Sequence, residues 1–177
     1  REDPYRVAQF SLMAKLLPIT REQKVNIVDL CSGYGPLAKV ILEAYPNVTI
    51  VVQDFSQLML DEASKRLSAW SDRVEFVTSN LMKKDWAAEM DSVTVVVSSM
   101  GLHNLGAPGR VREIYGEVFE LLKPGGAFLD FDFVNGAEAA THWMYSSWIA
   151  QEDEDDAMGT CAWVDGQWQK PSHYPLP

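Results

Sequence analysis

Cysteine is scarce in this sequence. Cys31 and Cys161 are the only two, and Cys31 sits inside an apolar run. A disulfide framework is therefore excluded as the source of stability, and a reducing, cytoplasmic setting is expected. Basic residues are also short: 15 Lys and Arg face 25 Asp and Glu, a formal charge of −10. Phosphate backbones and anionic lipid surfaces are bound by clustered Lys and Arg, so neither nucleic acid nor membrane is an expected partner. The acidity itself reads as a solubility property. Long hydrophobic runs are missing, since no stretch nears the roughly 18 apolar residues that span a bilayer. The start Arg1-Glu2-Asp3-Pro4 is charged rather than basic-then-apolar, so no signal peptide is expected.

What is present is an alternation. The chain of 177 residues is the size of one domain with a real core. Val7, Phe10, Leu12, Met13, Leu16 and Leu17 recur at near-helical spacing and predict an amphipathic helix ended by Pro18. Five strand-like runs follow, at Val25 to Leu30, Val48 to Val52, Arg73 to Thr78, Ser92 to Ser99 and Ala127 to Val134. Helical patterns lie between them at Leu37 to Tyr45, Ser56 to Trp70 and Arg110 to Leu122, with a polar segment from Lys83 to Glu89 before the fourth strand. This rhythm predicts βαβ crossovers: an α/β fold with a doubly wound, mostly parallel sheet and helices on both faces. Residues 1–134 are expected to form this core. Residues 135–177 read as one more helix, Thr141 to Ala150, then an acidic run from Gln151 to Asp156 and an irregular ending. Trp143, Trp148, Trp163 and Trp168 fall in that stretch, which is expected to belong to the same domain as a lid or truncated end. They suit an aromatic pocket or a homodimer contact.

The residues that carry chemistry gather after the strands. Gly33-Tyr34-Gly35 follows the first strand, and glycines there let backbone approach a ligand without a Cβ clash. Asp54 ends the second strand about 20 residues on, where an acid can accept both hydrogen bonds of a ribose diol. On spacing alone, Gly33, Gly35 and Ala38 also satisfy the loose dinucleotide pattern G-x-G-x-x-A, so NAD is a candidate too. A Gly-x-Gly turn can equally be only a turn, and Asp54 can serve merely as a cap for the next helix.

Five segments in order, over residues 5–134, resemble class I, Rossmann-like S-adenosylmethionine-dependent methyltransferases. Val28-Asp29-Leu30-Cys31-Ser32-Gly33-Tyr34-Gly35 resembles the family's first motif, with Cys31 where it usually has glycine. Gln53-Asp54-Phe55-Ser56-Gln57-Leu58-Met59-Leu60 resembles the second, and Val74 to Leu81 the third, with Asn80 in place of the usual Asp. Asp91 to Leu105 resembles the fourth, and Leu121-Leu122-Lys123-Pro124-Gly125-Gly126 the turn before strand five.

The resemblance implies methyl transfer from S-adenosylmethionine to a small-molecule acceptor. It assigns Asp29 to the glycine loop and the methionine amino group, and places Cys31, Gly33 and Gly35 beside the methionine and ribose. Asp54 would bind the ribose hydroxyls and Phe55 lie along the adenine. Asn80 would reach the adenine amino group by its carbonyl oxygen, and Leu81 would supply an apolar wall and an N–H. Ser98, Ser99 and Met100 would line the sulfonium end. The family normally closes with an antiparallel strand pair, and none is legible here. An NAD(P)-dependent oxidoreductase and a non-catalytic cofactor-binding subunit are the alternatives.

A base is needed only where the acceptor must lose a proton. His103, after the fourth strand, is the candidate catalytic residue, its other reading being a local backbone bond. His142 and His173 lie outside the motifs. Asp130 and Asp132 share a strand face, but no third ligand follows at suitable spacing. They are read as capping or solvated carboxylates, and no metal is expected. Tyr5, Phe10 and Met13 read either as a cover for the sulfonium or as plain core. The aromatic tail favours an apolar or aromatic acceptor.

Overall fold

A computed structural model of the chain describes residues 4–88, 90–133, 162–164 and 167–169. Helix α1 (Pro4–Leu16) opens on a proline, whose missing N–H the first helical turn does not need. It turns Phe10, Met13 and Ala14 into the core. Strand β1 (Val25–Leu30) runs into the glycine turn, and Gly35, left-handed at φ 75°, starts helix α2 (Pro36–Ala44), again with proline in its first turn. Strand β2 (Val48–Asp54) leads to helix α3 (Gln57–Arg66), capped by the Ser56 hydroxyl, which accepts from the Met59 N–H. Strands β3 (Val74–Thr78) and β4 (Val93–Ser99), helix α4 (Pro108–Leu121) and strand β5 (Leu122–Phe131) complete the series.

The five strands form one parallel sheet in the order β3-β2-β1-β4-β5. Strand alternation sends Ile27, Ile50, Val52, Val95 and Val97 to one face, under α1, α2 and α3. Val28, Leu30 and Val96 go to the other, under α4, Leu81 and Trp86. Each fully buried aliphatic side chain stabilises the fold by about 1.5–3 kcal/mol. The doubly wound, Rossmann-like sheet expected from the sequence is therefore what the chain forms. No helix among the described residues is long and apolar enough to cross a membrane.

Three details differ from the sequence pattern. Helix α3 stops at Arg66 rather than Trp70. Leu67 leaves helical backbone, and the Trp70 N–H bonds back to its carbonyl at 2.9 Å in a 3₁₀ turn, Ser68–Trp70. The break buries Leu67 against the glycine turn, its Cδ1 3.0 Å from where a Gly35 Cβ would stand. Strand β5 begins earlier than expected, at Leu122, and absorbs Pro124-Gly125-Gly126 as a bulge. The register against β4 jumps from Val93↔Leu122 to Val95↔Ala127, with Gly125 at φ 81°. An antiparallel pair that the sequence pattern did not reveal also exists: β6 (Ala162–Val164) and β7 (Gln167–Gln169) form a two-stranded sheet of their own, with Trp163 opposite Trp168. Strands of three residues are too short for an alternation to show.

The chain divides into two compact units, Arg1–Asp132 and Phe133–Pro177. The helix expected at Thr141 to Ala150 and the acidic run after it lie outside the described residues, as do Trp143, Trp148, His142 and His173.

Candidate functional site

Strand order reverses between β1 and β4, and in open parallel sheets such a reversal leaves a crevice at the carboxyl ends of the strands. Both strands end there on a non-glycine residue of positive φ, Cys31 at 51° and Met100 at 55°. Conformations of that kind cost on the order of 1–3 kcal/mol and cluster where function requires them. Cys31 is tolerated because of its neighbour. A Cβ on Gly101 would stand 2.3 Å from the Cys31 Cβ, so the side chain gained at one turn is matched by one absent at the other.

The glycine turn is held from β2. The Cys31 N–H donates to Gln53 Oε1 at 3.2 Å and the Ser32 N–H to the Gln53 carbonyl at 2.9 Å. The Gly33 N–H donates to Asp54 Oδ2 at 2.9 Å, and the Gly35 N–H to the Ser32 carbonyl at 3.0 Å. Gln53 is buried, and its Nε2 also donates to the Ser79 carbonyl at 2.7 Å, tying the loop to the end of β3. Asp54 takes a second bond, from the Ser56 N–H to Oδ1 at 2.9 Å. The helix cap itself is Ser56, so Asp54 braces the loop and keeps lone pairs for a ligand, since a carboxylate offers about four acceptor sites.

Buried polar atoms normally find partners. Among the described residues, Asp29 Oδ2, Ser79 Oγ and Ser99 Oγ find none, and Ser98 Oγ and Asp130 Oδ1 find none of good geometry, although the Ser98 hydroxyl lies near enough to help lower the Asp130 carboxyl. All five stand at or just past the carboxyl ends of β1, β3, β4 and β5. Nothing in folding alone would collect unsatisfied oxygens at one end of a sheet, and a polar ligand seated there would supply what they lack.

Those ends also gather carboxyl groups. Burial pushes the Asp29 carboxyl up to about 8, against the Ala38 N–H it accepts and with Asp54 adding to the rise. Burial pushes the Cys31 thiol up to about 12, and Asp54, Asp29, Asp132 and Asp130 all contribute. The thiol is thus neutral, a packing group rather than a nucleophile. Burial also raises the Asp130 carboxyl, while the Tyr115 hydroxyl, donating to its Oδ2 at 2.8 Å, draws it back.

The remaining expected residues sit as follows. Phe55 is 75% exposed beside Asp54, an open ring face at the crevice rim. Asn80 accepts the Met82 N–H on its carbonyl oxygen at 2.9 Å, closing a local turn. Leu81 is buried in the core on the α4 face, so its side chain packs rather than presents a wall. Met100 donates its N–H to the Phe131 carbonyl at 2.7 Å. Phe10 and Met13 are core, whereas Tyr5 is exposed. His103 lies on a 3₁₀ turn, Leu102–Leu105. Asp132 accepts the His103 N–H in the first turn of that 3₁₀ helix, a capping bond of the kind expected, and also meets His103 Nδ1, while Asp130 accepts the Tyr115 hydroxyl.

Sequence reasoning missed Gln53, Gly101 and Arg110. Arg110, nearly buried on α4, donates Nε to the Leu81 carbonyl at 2.7 Å and a terminal nitrogen to the Lys83 carbonyl at 2.9 Å. Its other bonds reach Glu113 and Glu117, and Glu117 also accepts the Trp86 indole N–H at 2.5 Å. The clamp fastens the turn after Asn80 to α4. A buried arginine in a helical pattern was the available signal, since Arg is rarely buried without partners.

Comparison with known proteins agrees with this geometry. Residues 27–126 match the model of a family described as a methyltransferase domain. The chain is 27% identical over 143 residues to a ubiquinone/menaquinone biosynthesis C-methyltransferase of Paracoccus denitrificans, covering 80% of this chain and 54% of that one. It is 31% identical over 101 residues to a demethylmenaquinone methyltransferase of Chlamydia pneumoniae, covering 57% and 41%. It superposes with a TM-score of 0.64 on an O-methyltransferase family protein from Burkholderia thailandensis, at 25% identity over 80% of this chain and 43% of the other. The chain thus spans about half the length of the curated relatives it matches. With the match running from the middle of β1 to the bulge of β5, the chain belongs to the methyltransferase-domain family.

Proposed function

We propose that this chain binds S-adenosylmethionine across the carboxyl ends of β1, β2 and β4 and transfers its methyl group to a small-molecule acceptor. The observation that carries the reading is the row of unpartnered buried oxygens set among four carboxylates, Asp29, Asp54, Asp130 and Asp132. Such a bowl suits a ligand that is cationic at both its sulfonium and its ammonium. It offers a diphosphate no cation, and the glycine-loop N–H groups a diphosphate would need are spent on Gln53, Asp54 and Ser32.

The residues present fit the cofactor. Asp29 Oδ2 is aimed to accept from its ammonium, and the unused lone pairs of Asp54 from its ribose diol. Gly33, where a Cβ would meet nothing within 4 Å, leaves the floor of the turn open. Phe55 supplies a face for the adenine, and the Asn80 backbone and side chain its polar edge. Ser98, Ser99 and Met100 border the methyl end. When bound, the cofactor supplies a methyl carbon already activated by the sulfonium. The protein's part is to align the acceptor and exclude water. The names of the relatives favour an aromatic, quinol-like acceptor.

Calorimetry with S-adenosylmethionine, S-adenosylhomocysteine and NAD tests the reading. Micromolar binding of the two sulfur compounds, and none of NAD, is expected. Tighter binding of NAD would sink it.

A further inference from the structure

We propose that Asn80 is a specificity-determining residue whose side-chain amide, held in one orientation by the Met82 N–H, reads the cofactor's adenine at two atoms, the six-amino group and a ring nitrogen beside it. The inference rests on the S-adenosylmethionine reading above and deepens it.

The turn that carries Asn80 is held from three sides. Asp54 is in register with Thr78, and the Ser79 N–H donates to the Asp54 carbonyl at 3.1 Å, so Asn80 follows the end of β3 next to the Asp54-Phe55 step. Gln53 Nε2 holds the Ser79 carbonyl from β2 at 2.7 Å. From α4, Arg110 holds the Leu81 and Lys83 carbonyls, and its five N–H donors are all engaged there and on Glu113 and Glu117. The Lys83 N–H closes the turn on the Asn80 carbonyl at 2.9 Å. Phe55, Ser79 and Asn80 line one cavity. A rigid mount of this kind is what a selective contact requires.

The amide on that mount has one orientation. A backbone N–H only donates, so the atom that meets the Met82 N–H at 2.9 Å is Oδ1 and not Nδ2. Turning the amide over would set N–H against N–H. Asn80 is exposed, its Nδ2 has no partner among the described residues, and Oδ1 keeps a second lone pair. A donor and an acceptor therefore stand side by side near the ring of Phe55.

Adenine carries the complementary pair, since its amino group is flanked by the acceptors N1 and N7. Oδ1 can accept from the amino group while Nδ2 donates to one of those nitrogens, the two-point pairing by which Asn recognises adenine in DNA. A carboxylate in the same place only accepts, so it meets the amino group alone. Asn80 thus adds a contact as well as removing a charge. Hypoxanthine has an oxygen where adenine has the amino group, which sets lone pair against lone pair at Oδ1. The Leu81 N–H, also without a partner among the described residues, is a donor that stays whatever stands at position 80.

Calorimetry on the 177-residue chain tests the proposal with four ligands: S-adenosylhomocysteine and its counterparts carrying 7-deazaadenine, 1-deazaadenine and hypoxanthine. Asn80→Asp keeps an acceptor for Met82 and loses the donor, and Asn80→Ser is too short to reach the base. For one of the two deaza ligands, the loss of affinity relative to S-adenosylhomocysteine should be about tenfold larger in wild type than in either variant. The hypoxanthine ligand should bind wild type at least about tenfold more weakly than S-adenosylhomocysteine. Thermal unfolding reports that each variant stays folded.

An asparagine that merely closes the turn would, when replaced, weaken all four ligands together and leave their ratios unchanged. That result overturns the proposal. So does a wild type that loses nothing with either deaza ligand, or one that binds the hypoxanthine and adenine ligands equally, and both are read without any variant. Failure of the wild type to bind S-adenosylhomocysteine at all would instead overturn the cofactor reading.

Discussion

Replacing Asp29 by Asn should stabilise the ligand-free protein while it damages cofactor binding. Asp29 is fully buried, one oxygen accepts the Ala38 N–H, and the other has no partner. Its carboxyl is raised from 3.8 to about 8, so between those values the folded chain holds a proton that the unfolded chain has lost. The sign follows: this group makes ligand-free stability fall as pH rises through that window, by up to about 1.4 kcal/mol per unit, and it has no further effect above about pH 8. At pH 7 the cost to the fold is at most about 4 kcal/mol. Asn has no such cost, keeps the acceptor for Ala38, and leaves an amide N–H₂ where Oδ2 stood, a loss of about 1–3 kcal/mol. The net expectation is a gain of about 1–3 kcal/mol at pH 7, or several degrees in Tm. Urea unfolding of both proteins from pH 5 to pH 8 measures it, with the steeper fall expected in wild type and a shallower one, left by the raised Asp130 carboxyl, in Asp29→Asn. S-adenosylmethionine, whose ammonium favours the ionised form, should release about one proton on binding wild type at pH 7. That release shows as a binding enthalpy that varies with buffer ionisation. The variant should show none and bind at least tenfold more weakly. An Asn variant less stable than wild type at pH 7, or one that binds as well, would refute the reasoning.

Three further outcomes follow from the packing. Gly101→Ala should cost several kcal/mol because its Cβ would stand 2.3 Å from that of Cys31. Adding Cys31→Gly should restore most of the loss, a coupling that a double-mutant cycle of unfolding free energies measures. Gln53→Leu leaves the Cys31 N–H and the Ser79 carbonyl without their bonds. A loss of about 2 kcal/mol by urea unfolding is expected, with faster hydrogen exchange at Cys31. Arg110→Met should free the turn after Asn80 from α4 and strand Glu117 against Trp86. Thermal unfolding should report a loss of about 3 kcal/mol, and calorimetry a weaker hold on adenosine as well as on S-adenosylmethionine.

The fold was legible in the sequence because its signals are local. Val48 to Val52 and Ser92 to Ser99 read as strands from β-branched runs alone, and Gly33 and Gly35 as a turn; the structure extends the first to Asp54 and starts the second at Val93. Asp54 was a candidate site residue for the same reason, since a βα alternation places strand ends on one edge whatever the strand order, whereas Asp29, Ser98 and Ser99 were candidates only through the family resemblance. Boundaries failed where a neighbour decides them. Helix α3 ends at Arg66 because Leu67 packs under Gly35, and β5 starts early because Gly126 must lie against the Thr94 carbonyl, 2.7 Å from where its Cβ would be.

What only tertiary structure decided is which residues meet. His103 and Asp132 are 29 positions apart, Cys31 and Gly101 still further, and Gln53 joins a loop 22 positions back to a carbonyl 26 positions ahead. No spacing encodes these pairs, because each depends on β1 lying between β2 and β4, and β5 lying beside β4. The periodicities of strand and helix tell which way a side chain faces along its own element. The order of the strands in the sheet decides what it faces across the crevice, and that order is set by how the whole core packs.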